Sequence, residues 1–278
     1  MKTNRKSFFQ NLLAAPHIAW SILFIIAPLV FVAYYAFTDR EGVFTLSNVK
    51  QVLTPNYLII FFRSISLALI ATFICLIIAY PLAYAISKSR ASSQKIMIML
   101  VMLPMWMNFL IRTYSWMAIL EDTGFINQIL GKIGLGPVHM INTSGAVILG
   151  MVYNFLPYMI LPIYSVMTKI DNRVIEAAAD LGCNPLKVMT KVIFPLSASG
   201  IISGVTMVFV PSISTFYISQ KLGGGNFDLI GDTIERQFQT AYNYNLGAAM
   251  SMILMVLILI CMAVMNRFSD EEGGGMVV

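Results

Sequence analysis

Hydrophobic and polar positions fall in long blocks along this chain. Six apolar runs stand at about 17–37, 60–86, 95–118, 144–167, 196–218 and 246–266, with polar stretches between them. Each approaches or exceeds the ~20 residues that a helix needs to cross the ~30 Å hydrocarbon layer. The pattern predicts an all-α, polytopic membrane protein with about six transmembrane helices. The first run, from about Ile18 to Phe37, follows MKTNRKSFF in the manner of a secretory signal. It is longer than the roughly 7–15-residue core of such a signal and ends in no small-residue cleavage site, so it reads as a retained helix. Prolines in the fourth and fifth runs are compatible with spans whose neighbours satisfy the freed carbonyls.

Composition points the same way. Of 278 residues, 58% are hydrophobic and only 11% charged, against about 25% charged in a globular domain. No stretch has the charge density of a soluble domain. The net charge of +5 is scattered over short loops rather than gathered in a stripe, which argues against a nucleic-acid partner. Lys2, Arg5, Lys6, Lys88, Arg90, Lys95, Lys169, Arg173, Lys187, Lys191 and Arg267 share one side, and Arg40, Lys50, Lys132, Lys221 and Arg236 the other. The richer side is expected to be cytoplasmic, with both termini inside. Cys75, Cys183 and Cys261 form no CxxC pair or disulfide framework. Every acidic residue lies outside the six runs, and His17 and His139 sit at a helix end and in a loop. A proton-driven carrier would keep an ionisable group within the bilayer. No catalytic or metal-binding residue is expected.

The polar stretch between the fourth and fifth runs, TKIDNRVIEAAADLGCNPLKVMTKVIFPLS from Thr168 to Ser197, is too patterned for a plain connector. Asp171 is a candidate N-cap, Gly182 a candidate stop, and Pro185 follows it. Between them a short helix puts Val174, Ala177, Ala178 and Leu181 on one face. Two alanines at the centre of that face suit close packing against a partner. A helix lying on lipid headgroups would favour bulkier side chains there.

Glu176-Ala177-Ala178, then Gly182, then Val192 and Pro195, resemble the EAA loop of ABC-importer permeases: EAA, three residues, Gly, nine residues, Ile-x-Leu-Pro. Val192 and Phe194 replace the Ile and Leu conservatively. The resemblance covers roughly residues 60–266. It implies a type I ABC importer permease fold in which residues 168–195 dock on a cytoplasmic ATPase through Glu176, Ala177, Ala178 and Gly182. Residues 1–59 would supply a tail, an additional helix and an outer loop, and residues 267–278 a cytoplasmic tail. The chain has no GxxxxGK[ST] phosphate loop, since Gly223-Gly224-Gly225 lacks the Lys-Ser/Thr that would follow. ATP and magnesium would therefore be bound by the partner ATPase. The resemblance further implies an external binding protein, a second and different permease subunit, and a place in the bacterial inner membrane.

LPMWMNFLIRTYSWMAIL, from Leu103, and LGGGNFDLIGDTIERQFQTAYNYNLGAA, from Leu222, resemble the spermidine/putrescine branch of these permeases. Asn243-Tyr244-Asn245-Leu246 stands where that branch often has a Trp-Pro pair. Polyamines are thus the expected cargo. The same architecture carrying iron or another small ion is the first alternative, and an ion-driven carrier or channel without an ATPase the second. Asp228, Asp232 and Glu235 fall at i, i+4, i+7 and would form an acidic outer rim that gathers cations, or an ordinary solvated face. Ser203, Thr206, Val210, Ser214 and Tyr217, with Asn154 and Tyr158, make small polar stripes that suit either a substrate pathway or helix packing. Tyr158 and Tyr217 could stack on an ammonium. Arg112 lies 17 residues past Lys95 (112 less 95), hence about 25 Å along a continuous helix. It is expected either to snorkel to the outer headgroups or to form a structural ion pair.

Overall fold

The structure, a computed structural model, describes residues 16–225 and 227–273. The basic tail with Lys2, Arg5 and Lys6, and the end of the chain beyond 273, lie outside the described residues. Among the described residues, four helices are long and apolar enough to cross a membrane unbroken: α1 (Pro16–Ala36), α3 (Pro55–Ser87), α7 (Ser144–Met167) and the apolar part, Tyr244–Met265, of α13 (Tyr244–Gly273). Two further crossings are bent pairs. In one, α4 (Ala91–Trp106) meets the Phe109–Lys132 segment at 88°; in the other, α9 (Pro185–Leu196) meets α10 (Ala198–Ser214) at 71°. Counting each pair once gives the six expected crossings. The expectation of unbroken helices at 95–118 and 196–218 is corrected.

The physical reason for the first break is local. Pro104 sits in the last turn of α4, and Met107 leaves the helix with ψ 147°. Asn108 then restarts the chain as an N-cap, its side chain accepting from the Leu110 amide at 2.8 Å, and α5 runs from Phe109 to Leu120. The second run ends early because Thr215 turns extended after Ser214. A separate short helix, α11 (Tyr217–Leu222), follows. The remaining elements are α2 (Ser47–Val52), α6 (Phe125–Lys132), α8 (Asn172–Asp180) and α12 (Ile230–Gln239).

The chain divides into two compact units, residues 1–58 with 233–257 and residues 59–232 with 258–278. In the first unit, two asparagines satisfy the carbonyls at the end of α1. Asn48 donates to Thr38 O at 2.8 Å, and Asn245 donates to Thr38 O at 2.7 Å and to Tyr35 O at 3.1 Å. Asn243 accepts from the Leu246 amide at 3.3 Å at the start of α13. The departure at Asn243-Tyr244-Asn245-Leu246 therefore has structural work to do.

In the second unit α7 is the central helix, and α10 packs along it. The contact is backbone-close. A Cβ at Gly200 would lie 2.9 Å from Pro162 O, and one at Gly204 would lie 3.1 Å from Met159 O. Only glycine permits that approach. Val208 and Ile201 continue this buried face. Tyr80 and Ser197 hydroxyls meet at 3.2 Å, tying α3 to the start of α10. Gln94 donates to Ser87 O and Ser89 O and accepts from the Tyr164 hydroxyl at 3.1 Å, which fixes the α3–α4 turn against α7.

Candidate functional site

The loop after α7 folds as its residues dictate. Asp171 caps α8, its Oδ1 accepting from the Arg173 amide at 2.9 Å. At the other end Leu181 is the C-cap and Gly182 takes φ +81°. The Gly182 amide donates to Ala179 O at 2.9 Å and the Cys183 amide to Ala178 O at 3.1 Å. This is a Schellman closure, which needs a left-handed residue at Gly182. Asn184 then caps α9 by accepting from the Lys187 amide at 2.8 Å. Lys88, just past α3, donates to Asn172 Oδ1 at 2.5 Å, and its partial burial lowers its pKa from the ordinary lysine value.

One side of α8 belongs to the chain's own core. Ala178 is buried, with Ile175 and Cys183 packed beside it. Ala178 therefore faces inward, and the expectation that it shares an open docking face is corrected. The other side is uncovered: Val174, Glu176, Ala177, Leu181 and Leu186 are exposed, Leu181 to 86%. Leu181 and Leu186 bracket the turn at Gly182, with Glu176 exposed on the helix before it.

The membrane part of the site is different. Ser203 and Ser214 are exposed, and Thr206 and Val210 half-buried, on faces of α10 away from the Gly200–Gly204 contact. Their hydroxyls donate to the carbonyl four residues back, Ser203 to Ser199 at 2.8 Å and Thr206 to Ile202 at 2.9 Å. Thr206 also touches Met265 Sδ at 3.6 Å. Tyr217 does not continue this stripe, because the break at Thr215 places it on α11. Asn154 is 2% exposed and donates to Gly150 O, so it does not line an open surface; Tyr158 is exposed. The shared wetted face expected of Asn154 and Tyr158 is corrected.

The two breaks meet at a cavity of about 250 Å³ lined by Phe109, Leu110, Ser214, Thr215, Phe216 and Tyr217. A chain of rings runs beside it. Phe109 and Tyr217 are 5.8 Å apart between centroids, and Tyr217 and Tyr114 are 6.2 Å apart, edge to face. Lys221 Nζ stands 5.6 Å from the Tyr114 centroid and 5.7 Å from that of Tyr217. Arg112 lies over Phe109 at 5.8 Å, is only 8% exposed, and keeps Nε and Nη1 buried without a hydrogen bond. It neither reaches an open surface nor pairs with a carboxylate among the described residues, and the 88° bend removes the straight path behind the 25 Å placement. Sequence reasoning missed Tyr114, Phe109 and Lys221 as a group. The four-residue spacing of Tyr217 and Lys221 was readable; the approach of Tyr114 from another helix was not.

The outer acidic triplet is also rearranged. Asp232 is 6% exposed; Oδ1 accepts from the Ser219 hydroxyl and Oδ2 from the Leu229 amide, each at 2.9 Å. It closes the first turn of α12 by reaching back to the residue before it. Asp228 precedes the helix, and Asp228 and Glu235 are half-buried. One exposed helical face of three acids is therefore not formed.

Comparison with known proteins adds to this geometry. Residues 57–271 match the family described as binding-protein-dependent transport system inner membrane component. The chain belongs to that family. It is a multi-pass inner-membrane transport subunit. It is 38% identical over 267 residues to the spermidine/putrescine transport system permease protein PotB of Haemophilus influenzae, covering 93% of each chain. It is 35% identical over 260 residues to the protein of the same name from Escherichia coli, covering 91% of this chain and 94% of that one. Its fold is similar to a chain of a bacterial alginate ABC transporter solved in complex with an alginate pentasaccharide-bound periplasmic protein, with TM-score 0.81, 15% identity and 96% of both chains covered.

Proposed function

We propose that this chain is the permease subunit of an ATP-driven importer that carries polyamines such as spermidine and putrescine across the inner membrane. The uncovered apolar side of α8 supports the ATPase-dependent part of this reading. Exposed Leu181 and Leu186 flank a rigidly closed turn, and burying them on a partner would remove a surface that costs free energy in water. The cargo rests on near-full-length likeness to permeases named for spermidine and putrescine.

The partners are cytoplasmic ATPase subunits that bind ATP and magnesium, a second and different permease subunit, and an external binding protein. The excess of basic residues expected on the α8 side supports a cytoplasmic place for both termini. Transport proceeds by alternating access. Closure of the ATPase pair draws the docked α8 helices together. Because Ala178 and Ile175 are anchored in the core, that movement passes into α9 and the bent junction with α10. The outer side then opens to a docked binding protein, and hydrolysis restores the inward-facing state.

Uptake of labelled spermidine and putrescine by cells with and without the chain tests the cargo. Capture of an ATPase by the detergent-solubilised chain tests the coupling. Equal uptake in both cells would sink the polyamine assignment, and absence of the ATPase would favour a carrier acting alone.

A further inference from the structure

The Tyr114–Tyr217 pair already holds a cation, and that cation belongs to the chain. Lys221 is one helical turn beyond Tyr217 on α11, so its side chain folds back along the helix onto the Tyr217 ring. Tyr114 comes from α5 and stands edge to face with Tyr217, so that the ammonium is within 6 Å of both ring centroids. That distance is the range in which an aromatic face attracts an ammonium. No carboxylate is paired with Lys221 among the described residues, and Lys221 is only half-buried. The two tyrosines are therefore its partners, and a flexible, partly wet stem leaves it free to withdraw. Tyr217 also lines the cavity between the start of α5 and the break that separates α10 from α11.

We infer that Tyr114 and Tyr217 form a binding site for a primary ammonium group of the cargo, and that Lys221 is a tethered competitor which fills this site until substrate displaces it. This rests on the polyamine reading above. The chemistry of the lysine supports the assignment, because its side chain is an alkyl chain ending in a primary ammonium, as is each end of a diamine. A site that accepts one by cation–π attraction accepts the other. A tethered competitor favours polycations: one ammonium displaces Lys221 while another remains free to engage the next acceptor. A monoamine gains no such second contact.

The test uses cells or vesicles carrying the intact transporter and an impermeant amine-reactive reagent applied from outside. Modification of Lys221 is read by mass spectrometry as a ratio to exposed Lys132, so that reagent consumed by putrescine cancels. Millimolar putrescine is expected to raise this ratio about threefold or more, matching release from a ring contact of ordinary strength. Tyr114→Leu is expected to raise it without putrescine and to abolish the response. The wild-type measurement decides alone if that variant fails to insert. Uptake of labelled putrescine is measured in parallel. A ratio unmoved or lowered by putrescine, in cells that take putrescine up, overturns the site and leaves the polyamine reading standing. A rising ratio without uptake keeps the site and removes the cargo assignment. Neither uptake nor response overturns both.

Discussion

The turn around α8 and the paired breaks at α4–α5 and α10–α11 lie in the same unit but are held by different forces. Around α8 the contacts that set the geometry are local: Asp171 to Arg173, Ala178 to Cys183, Ala179 to Gly182, Asn184 to Lys187. Each spans two to five residues. At the breaks, the contacts that matter come from distant segments, Phe109 and Tyr114 meeting Tyr217, and nearer the start of α10 Gly200 meets Pro162 of α7. The first region is closed by its own short-range hydrogen bonds and leaves Leu181 and Leu186 uncovered. The second is a junction whose helix ends already converge on a cavity.

Disturbing the distant contacts should cost most. Gly200→Leu would push a side chain into Pro162 O, and overpacking of this kind costs about 3 kcal/mol. Loss of folded protein in the membrane is expected, read by yield and thermal unfolding of the solubilised chain. A stable, active variant would show that α7 and α10 do not depend on backbone-close packing. The local region should fail differently. Gly182→Leu meets no neighbour, so its cost is that of the left-handed backbone, about 1–3 kcal/mol. Insertion should survive while ATPase capture and coupled uptake are lost, and Gly182→Asn should retain much of both. Normal uptake by the Leu variant would remove the docking role.

Asp232 and its acidic neighbours separate structure from cation capture. Asp232→Ala leaves the Leu229 amide without its carboxylate and should lower stability by about 1–3 kcal/mol. Asp228→Asn with Glu235→Gln removes the two remaining charges while keeping side-chain size and polarity. If these two gather cargo from a distance, uptake at low substrate should fall at low salt, and the defect should shrink as salt screens charge beyond ~8–10 Å. A defect independent of salt would point to packing instead. The gentlest probe is a single cysteine at Ser203, Thr206, Val210, Ser214 or Val208, with the native cysteines replaced. A wet pathway predicts that the first four react with a water-soluble thiol reagent, varying with nucleotide state, while Val208 stays protected. Protection at all five would make the stripe a packing or lipid-facing surface.

The sequence by itself determined what depends on short-range chemistry and on amount of apolar surface. The count of crossings follows from runs long enough to span hydrocarbon. The α8 boundaries follow from Asp171 and Gly182, because an N-cap oxygen and a left-handed C-terminal residue act within a few positions of themselves. Only the tertiary structure decided which side of each helix is covered. Ala178 turned out to be buried and Leu181 bare, although both sit on the predicted face, since burial depends on what packs from elsewhere. Asp232 became a capping group because Ser219 and the Leu229 amide are beside it, not because of its spacing from Asp228 and Glu235. The cation over Tyr217 is likewise a matter of three dimensions. Ring attraction falls off over a few ångströms, and Tyr114 reaches that range only when α5 restarts at Asn108 and turns toward α11.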